Sequence, residues 1–402
     1  MLVSGLLSGI RVLDVTTVLA GPFAAYQLSM LGADVIKVEV PGTGDLARDM
    51  GDDAYLRDQR MGAPFVAQNS GKRSVEVDLK SSAGHEIFSR LVASADVLVE
   101  NMRPGVLDRL GFGWEALHAI NPRLVYVAIS GFGQTGPLAH RAAYDQIIQG
   151  LSGMVDVTGR PEGEPLRAGF PVADILGGYA GAFAVCAALV RREREGVGSV
   201  VDVSMLETAI TALGWVVSEQ FTTGRPAQRY GNDNPASSPS GSFRTGHGML
   251  TVAANTQTQF ESLCWVLGRA DLLDDPRFAT RAERKRHRAE LTEQLEVALA
   301  TRSAAEWEEM LAKVSVPAGQ VITVGEAIDQ PQVRERGLVH EVELALPECP
   351  RVQVLGSALR VDGEVQGPVG PPPRLGQHTA EILAELGYSP LTLSALKEAG
   401  VV

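Results

Sequence analysis

The chain has 402 residues, of which 36 are Lys or Arg and 48 are Asp or Glu, for a formal net charge of −12. Hydrophobic residues make up 45% and charged residues 21%, a balance that excludes a disordered chain; the acidic sign argues against nucleic acid or an anionic membrane surface as the main partner. The three cysteines, Cys186, Cys264 and Cys349, lie far apart without C-x-x-C spacing, which argues against a disulfide scaffold or a cysteine metal site and fits a reducing cytoplasm. The N-terminal segment lacks the basic start and long apolar core of a secretory signal. The longest apolar stretch, residues 177–190, falls short of the roughly 20 residues a bilayer span needs, so a buried core helix is expected there and no membrane partner.

Taken in chain order, residues 11–15 (RVLDV) read as a buried strand, 22–31 as a helix ended by Gly32, and 34–38 (DVIKV) as a second strand, a parallel βαβ unit. The alternation repeats: a strand at 74–79, an amphipathic helix at 82–93, a strand at 96–100, a helix at 113–120 and a strand at 124–130. A long helix at about 175–195 leads into a strand at 199–203 and a further helix from Met205. This pattern predicts an α/β fold with a large doubly wound, Rossmann-like domain over residues 1–221. Residues 222–247, rich in Gly, Pro, Ser and Asn, read as a linker, and 248–325 as a smaller α+β domain. Residues 326–402 read as a return linker and a C-terminal segment, ending in helices at 377–387 and 394–400, that packs back on the large domain. The basic run at 280–291 (TRAERKRHRAEL) carries interleaved glutamates and is expected to be a solvated helix face.

After the strand at 124–130 comes Gly131-Phe-Gly133-Gln-Thr-Gly136, with Asp156 twenty residues beyond. Alone this is a dinucleotide fingerprint. Its context argues against one: Pro137 follows at once, His140 and Arg141 stand in a polar loop, and residues 152–158 make a poor second strand.

The more informative stretch is Pro171-Val-Ala-Asp174-Ile-Leu-Gly177-Gly178. One account of Asp174 is a helix N-cap. The other is a nucleophile: the two glycines would let another molecule approach, and the helix N-terminus would hold the carboxylate ionised in an apolar pocket.

Several motifs then fall in a fixed order: Gly9-Ile-Arg-Val-Leu-Asp14, Ala20-Gly-Pro22, Leu31-Gly-Ala-Asp-Val-Ile-Lys-Val-Glu39 and Asn69-Ser-Gly-Lys-Arg-Ser74. Val99-Glu-Asn101, Pro104-Gly-Val-Leu-Asp-Arg109, Ser130 to Pro137, Ala173-Asp174 and Val201 to Glu207 continue the series. On these the chain resembles, over nearly its whole length, the family III CoA-transferases, which include formyl-CoA transferase, carnitine CoA-transferase and α-methylacyl-CoA racemase. The resemblance implies an acyl-CoA:carboxylate CoA-transferase, a homodimer of interlocked chains, with CoA thioesters and small carboxylic acids as substrates. It makes Asp174 the nucleophile, which would form first an acyl–aspartyl anhydride and then an aspartyl-CoA thioester. The backbone at Val18, Leu19 and Ala20, and the Ser240-Gly241-Ser242 loop, become candidates for oxyanion donors, with Tyr144 at the acyl site. Lys72, Arg73, Asn101 and Arg109 match positions that hold CoA, with Arg103 and Arg141 as looser candidates; for each cation the alternative is a solvent-exposed surface position.

Two departures bear on specificity. The racemases place a His before an Asp as second acid/base, where this chain has Tyr144-Asp145, which favours transferase over racemase. Leu19 and Val40 replace a glutamine and an arginine of formyl-CoA transferase, which argues against formyl or oxalyl groups and for a larger or less polar acyl group. A CoA-thioester binding protein without catalysis is the alternative from another functional class.

Overall fold

The computed structural model describes residues 5–402. The chain divides into two compact units. Among the described residues the first comprises 5–154, 167–225 and 331–402, and the second 155–166 and 226–330.

The first unit is built on six parallel strands: β1 (Arg11–Val15), β2 (Asp34–Glu39), β3 (Arg73–Glu76), β4 (Val97–Glu100), β5 (Val125–Ser130) and β6 (Ser199–Ser204), in the order β3-β2-β1-β4-β5-β6. The inner strands β4 and β5 are mostly apolar and buried on both sides because helices cover both faces, whereas the edge strands β3 and β6 carry polar residues. Side chains of successive strand residues enter opposite cores. Val12, Val97, Val99, Val125 and Val127 face one core, while Leu13, Leu98, Tyr126 and Ala128 face the other.

The first core is closed by α1 (Ala20–Met30), α4 (Asp145–Leu151), α5 (Val172–Glu195) and α6 (Met205–Ala212). The second is closed by α2 (Ser82–Ala93), α3 (Trp114–Ile120) and the C-terminal helices α11 (Thr379–Glu385) and α12 (Pro390–Glu398). The tail therefore packs back on this unit, with Ile382, Leu383 and Val401 buried beside Leu91 and Leu98. The helix α7 (Gly214–Thr223) lies in the expected large domain and runs two residues into the expected linker.

The helix α5 is longer than its apolar stretch suggested. At 24 residues it is long and apolar enough to cross a membrane by length and composition alone. Its glycine face packs on α1 and β5 as a core helix does.

The second unit holds an antiparallel sheet of β7 (Ser240–Arg244), β8 (Met249–Ala253) and β9 (Ala318–Gln320). The helices α8 (Gln257–Val266), α9 (Arg288–Leu299) and α10 (Ala304–Ala312) pack with it around Phe260, Leu295 and Trp307. Two expectations fail here. The strand β7 lies inside the supposed linker, its polar, glycine-containing sequence having masked it. The basic run is also not merely a solvated face. Arg284 is fully buried, donating to the carbonyl oxygens of Ser238 and Phe278, and Arg288 donates to those of Asn234 and Ser237. These guanidiniums satisfy backbone acceptors that no strand or helix uses.

Candidate active site

In an open parallel sheet, ligands bind outside the carboxyl ends of the strands where the strand order reverses. Here that point lies between β1 and β4. Because α1 follows β1 and α5 runs back before β6, the N-termini of both helices lie at this carboxyl edge. So do the segments after β2 and β4.

The turn from β1 into α1 is held by polar groups the sequence pattern did not reveal. Val18 has φ +68°, a left-handed conformation costly for a β-branched residue that persists only where surroundings enforce it. Asp45 supplies that enforcement. Its Oδ1 accepts from Val18 N at 2.9 Å and Thr17 Oγ1 at 2.8 Å, and its Oδ2 pairs with Lys37 Nζ at 2.8 Å. Lys37 Nζ also donates to the carbonyl of Thr16 at 2.9 Å. Burial pushes the Asp45 carboxyl up, but Lys37 and the backbone N–H bonds pull it further down, to about 2. Asn101 completes the clamp, accepting from Thr17 N at 2.9 Å and donating to Thr17 O at 2.8 Å. Asn101 thus orders the turn through the backbone, and the Val18 N–H, bonded to Asp45, is not a free oxyanion donor. Leu19 is the N-cap of α1 and brings no side-chain cap, which leaves the N–H groups of Ala20 and Gly21 without a capping side chain; Pro22 has no N–H, and Phe23 N is bonded to Leu19 O.

Asp174 lies in the first turn of α5 and not at its cap. The N-cap is Pro171, which has no capping side chain. The cap comes from α4. Asp145, which is buried, accepts from Ala173 N at 2.8 Å and from Asp174 N at 3.4 Å. Burial, followed by the charge of Asp145, pushes the Asp174 carboxyl up to about 7. The expectation of a carboxylate held fully ionised by the helix N-terminus did not reckon with burial and the like charge of Asp145, both of which disfavour the ionised form.

The glycines after Asp174 also serve a different purpose from the one expected. Added Cβ atoms would stand 2.9 Å from Met205 Cγ at Gly177, 2.7 Å from Ala20 O at Gly178 and 2.6 Å from Ile129 Cδ1 at Gly181. They admit α6, α1 and β5, not an external ligand. Gly178 sets α5 against the first turn of α1, and Asp174, four residues earlier on the same helical face, lies one turn back from that contact.

The cation candidates divide into two groups. Lys72 is buried, and its three donors are occupied by Asp14 Oδ2 at 2.7 Å, Pro22 O at 2.9 Å and Asn69 Oδ1 at 2.9 Å. An ammonium has no fourth donor to offer a phosphate. Burial pushes it down to about 8, opposed in part by Asp14. Arg73 pairs with Asp34, Glu381 and Glu385 and ties α11 to the sheet. Both are corrected from CoA contacts to structural ion pairs. Arg103 and Arg109 are exposed on the segment after β4, and Arg141 is exposed in the loop before α4.

A cavity of about 340 Å³ opens at the carboxyl ends of β1 to β4, lined among others by Val38, Val40, Val77, Lys80, Met102 and Leu110 together with the carboxylates Glu39, Asp45 and Asp78; Arg103 and Arg109 follow and precede lining residues in the chain but do not line it. Lys80 is the cation among its lining residues, and the sequence reading missed it.

The Gly131–Gly136 segment is a loop with Gly133 and Gly136 at positive φ, and no helix begins until α4. It therefore lacks the helix start a dinucleotide fingerprint requires. Tyr144, 61% exposed, stands at the N-terminus of α4. Gly241 belongs to the second unit, in β7 opposite Val252, where the Asn232–Asp233 turn covers it. Its place in an open donor loop is corrected on that ground.

A family model described as CoA-transferase family III matches residues 7–379. Succinyl-CoA:glutarate CoA-transferase of Mus musculus is 35% identical over 397 residues, covering 98% of this chain and 90% of that protein. Acetyl-CoA:oxalate CoA-transferase of Acetobacter aceti is 41% identical over 336 residues, covering 83% and 85%. Among solved structures, a CaiB/BaiF family protein from Brucella suis superposes with a TM-score of 0.84 at 36% identity, covering 95% of this chain and 100% of that one.

Proposed function

The chain belongs to CoA-transferase family III and transfers CoA between acyl groups, and from that premise we propose that Asp174 carries the transfer covalently between dicarboxylic acids. The ionised Asp174 attacks the thioester carbonyl of the donor. The C–S bond breaks, CoA leaves as thiolate, and an acyl–aspartyl anhydride remains. The thiolate attacks the aspartyl carbonyl and expels the donor acid. The acceptor carboxylate then attacks the aspartyl-CoA thioester, releasing thiolate again, and the thiolate takes the acceptor acyl group from the resulting anhydride. Asp174 returns as carboxylate, with no water consumed and no net proton change.

The observation that carries this reading is the seat of Asp174: half-buried, in a helix first turn, at the sheet edge where the uncapped N-terminus of α1 also lies. The N–H groups of Ala20 and Gly21, the two first-turn donors of α1 without a capping side chain, are the candidates for the oxyanion of each tetrahedral intermediate. The cavity at the carboxyl ends of β1 to β4 is the candidate seat for the adenosine end of CoA, with apolar walls for the base and Lys80 in its lining; the exposed Arg103 and Arg109, on the segment after β4, are candidates for its phosphates. Arg141 remains a candidate for the same charge, and Tyr144 for the acyl site. A dicarboxylate acceptor follows the relatives, among them those named for succinyl-CoA with glutarate, D-citramalate and mesaconate.

A homodimer is part of the proposal. Phe183 is 77%, Trp215 64% and Phe221 82% exposed, an apolar set on α5 and α7 that a second copy would cover. Sedimentation would show a dimer; a monomer at working concentration counts against this part alone. The function is tested by incubating the protein with acyl-CoAs and free acids and reading products by mass. CoA exchange among four- and five-carbon dicarboxylates is expected. Hydrolysis alone, binding without exchange, or α-proton exchange without an acceptor would count against it.

A further inference from the structure

Asp145 is a buried carboxylate that no step above uses. It sits at the first position of α4, 7% exposed. The three hydrogen bonds it accepts come from Ala173 N, Asp174 N and, at 2.6 Å to Oδ2, Gln149 Nε2, none from a cation. Gln149, also buried, donates to Phe170 O at 3.3 Å and accepts from Ala168 N at 2.9 Å. Two side chains one turn apart on α4 therefore stitch down the segment from Ala168 to Asp174. The helix it enters has no cap of its own, because Pro171 carries no acceptor.

We propose that Asp145 is a positioning residue of the transfer reaction, capping α5 from a neighbouring helix and holding Asp174 beside a fixed negative charge. This rests on the reading of Asp174 as nucleophile. A serine or asparagine would cap a helix as well, but Asp145 accepts on both oxygens, from Ala173 N and Asp174 N on Oδ1 and from Gln149 Nε2 on Oδ2, and so brings a carboxylate to the turn that carries Asp174. A buried charge is costly unless hydrogen bonds compensate it, and three N–H donors do so for Asp145. Placed beside Asp174, it disfavours the neighbour's ionisation and so makes the ionised form more basic and a stronger nucleophile. The other elements packed on α5 offer few rivals. The helix α1 carries no charged side chain, β5 has only Tyr126 as a titratable group, β6 carries Asp202, and α6 carries Glu207. Asp145 is the charge felt at Asp174.

The test compares Asp145→Asn, which keeps the cap acceptor but removes both the charge and the acceptor for Gln149 Nε2, with Gln149→Ala, which cuts the same stitch and keeps the charge, so that a difference between the two reports the charge. In Asp145→Asn the acid limb of the kcat/KM–pH profile is expected to move down by about one unit, with kcat falling several-fold on the plateau. In Gln149→Ala, kcat is expected to fall without that downward move, and KM for acyl-CoA to change little. A folded Asp145→Asn enzyme with wild-type limb and kcat would overturn the proposal. Should that variant not fold, Gln149→Ala decides: reduced kcat at unchanged KM supports it, and wild-type kinetics overturn it. Asp174→Ala keeps the two readings apart, since exchange surviving in that variant would refute the nucleophile itself, whereas its loss beside a wild-type-like Asp145→Asn would refute only the role of Asp145.

Discussion

Gly178 and Ala20 touch backbone to backbone: a Cβ on Gly178 would stand 2.7 Å from the carbonyl oxygen of Ala20 and 2.8 Å from Phe23 Cδ1. This contact fixes the distance between the helix that carries Asp174 and the helix whose N-terminus faces the sheet edge. Gly178→Ala must push the two apart. Overpacking of this kind costs about 1–3 kcal/mol, and the account expects a lowered melting temperature with kcat falling more than KM rises. Thermal melts and steady-state kinetics check it; a variant with full kcat would remove the need for this spacing.

The pH behaviour follows from Asp174. Its carboxyl is pushed up to about 7 by burial and by Asp145, and only the ionised form attacks. Activity should therefore rise with pH through an acid limb near 7, not near the ordinary carboxylate value of about 4. The stability sign is the reverse. The native state holds a proton that the unfolded chain releases above about pH 4, so this group's contribution declines as pH rises through 4 to 7. Asp174→Asn should accordingly melt higher than wild type at pH 8, with a smaller difference at pH 4. Calorimetry at the two pH values measures this.

Lys72 and the exposed arginines should separate cleanly. Lys72→Met leaves Asp14 buried and without its closest cation, a loss of about 3–5 kcal/mol, visible as a large drop in denaturant midpoint. Arg103→Ala and Arg109→Ala should barely move the midpoint and should raise KM for acyl-CoA. The rise should be smaller when the 3′-phosphate is absent, in assays with the dephospho-CoA thioester.

The clamp on Thr17 and Val18 gives a fourth expectation. Asn101→Ala removes both hydrogen bonds to Thr17 at a cost of about 1–3 kcal/mol in the folded enzyme. Because the turn leads directly into α1, kcat should fall along with stability. Asn101→Asp keeps the acceptor for Thr17 N and should restore part of both; equal loss in the two variants would argue against a positioning role.

The sheet was legible because strands buried on both faces leave short, mostly apolar runs, as in residues 97–99 and 125–129. Asp174 stood out for its position among glycines and for the family resemblance. Partners brought from distant segments were not legible. Nothing local to Asp45 announces that it holds Val18 across 27 residues, and nothing near Asp145 announces the cap it provides 28 residues away. Lys72 misled for a related reason: a Lys-Arg pair after glycine looks the same whether it faces a phosphate or, as here, a buried aspartate. The glycines misled because sequence records missing side chains and not what fills the space.

The most direct test of the account is chemical trapping at one residue. The enzyme is incubated with a donor acyl-CoA, quenched with hydroxylamine, digested, and the peptide spanning Asp174 is read by mass. The account predicts a hydroxamate on Asp174, dependent on acyl-CoA and absent from Asp174→Ala, which should also lose CoA exchange. A peptide left unmodified while exchange proceeds, or a hydroxamate on another residue, would contradict it.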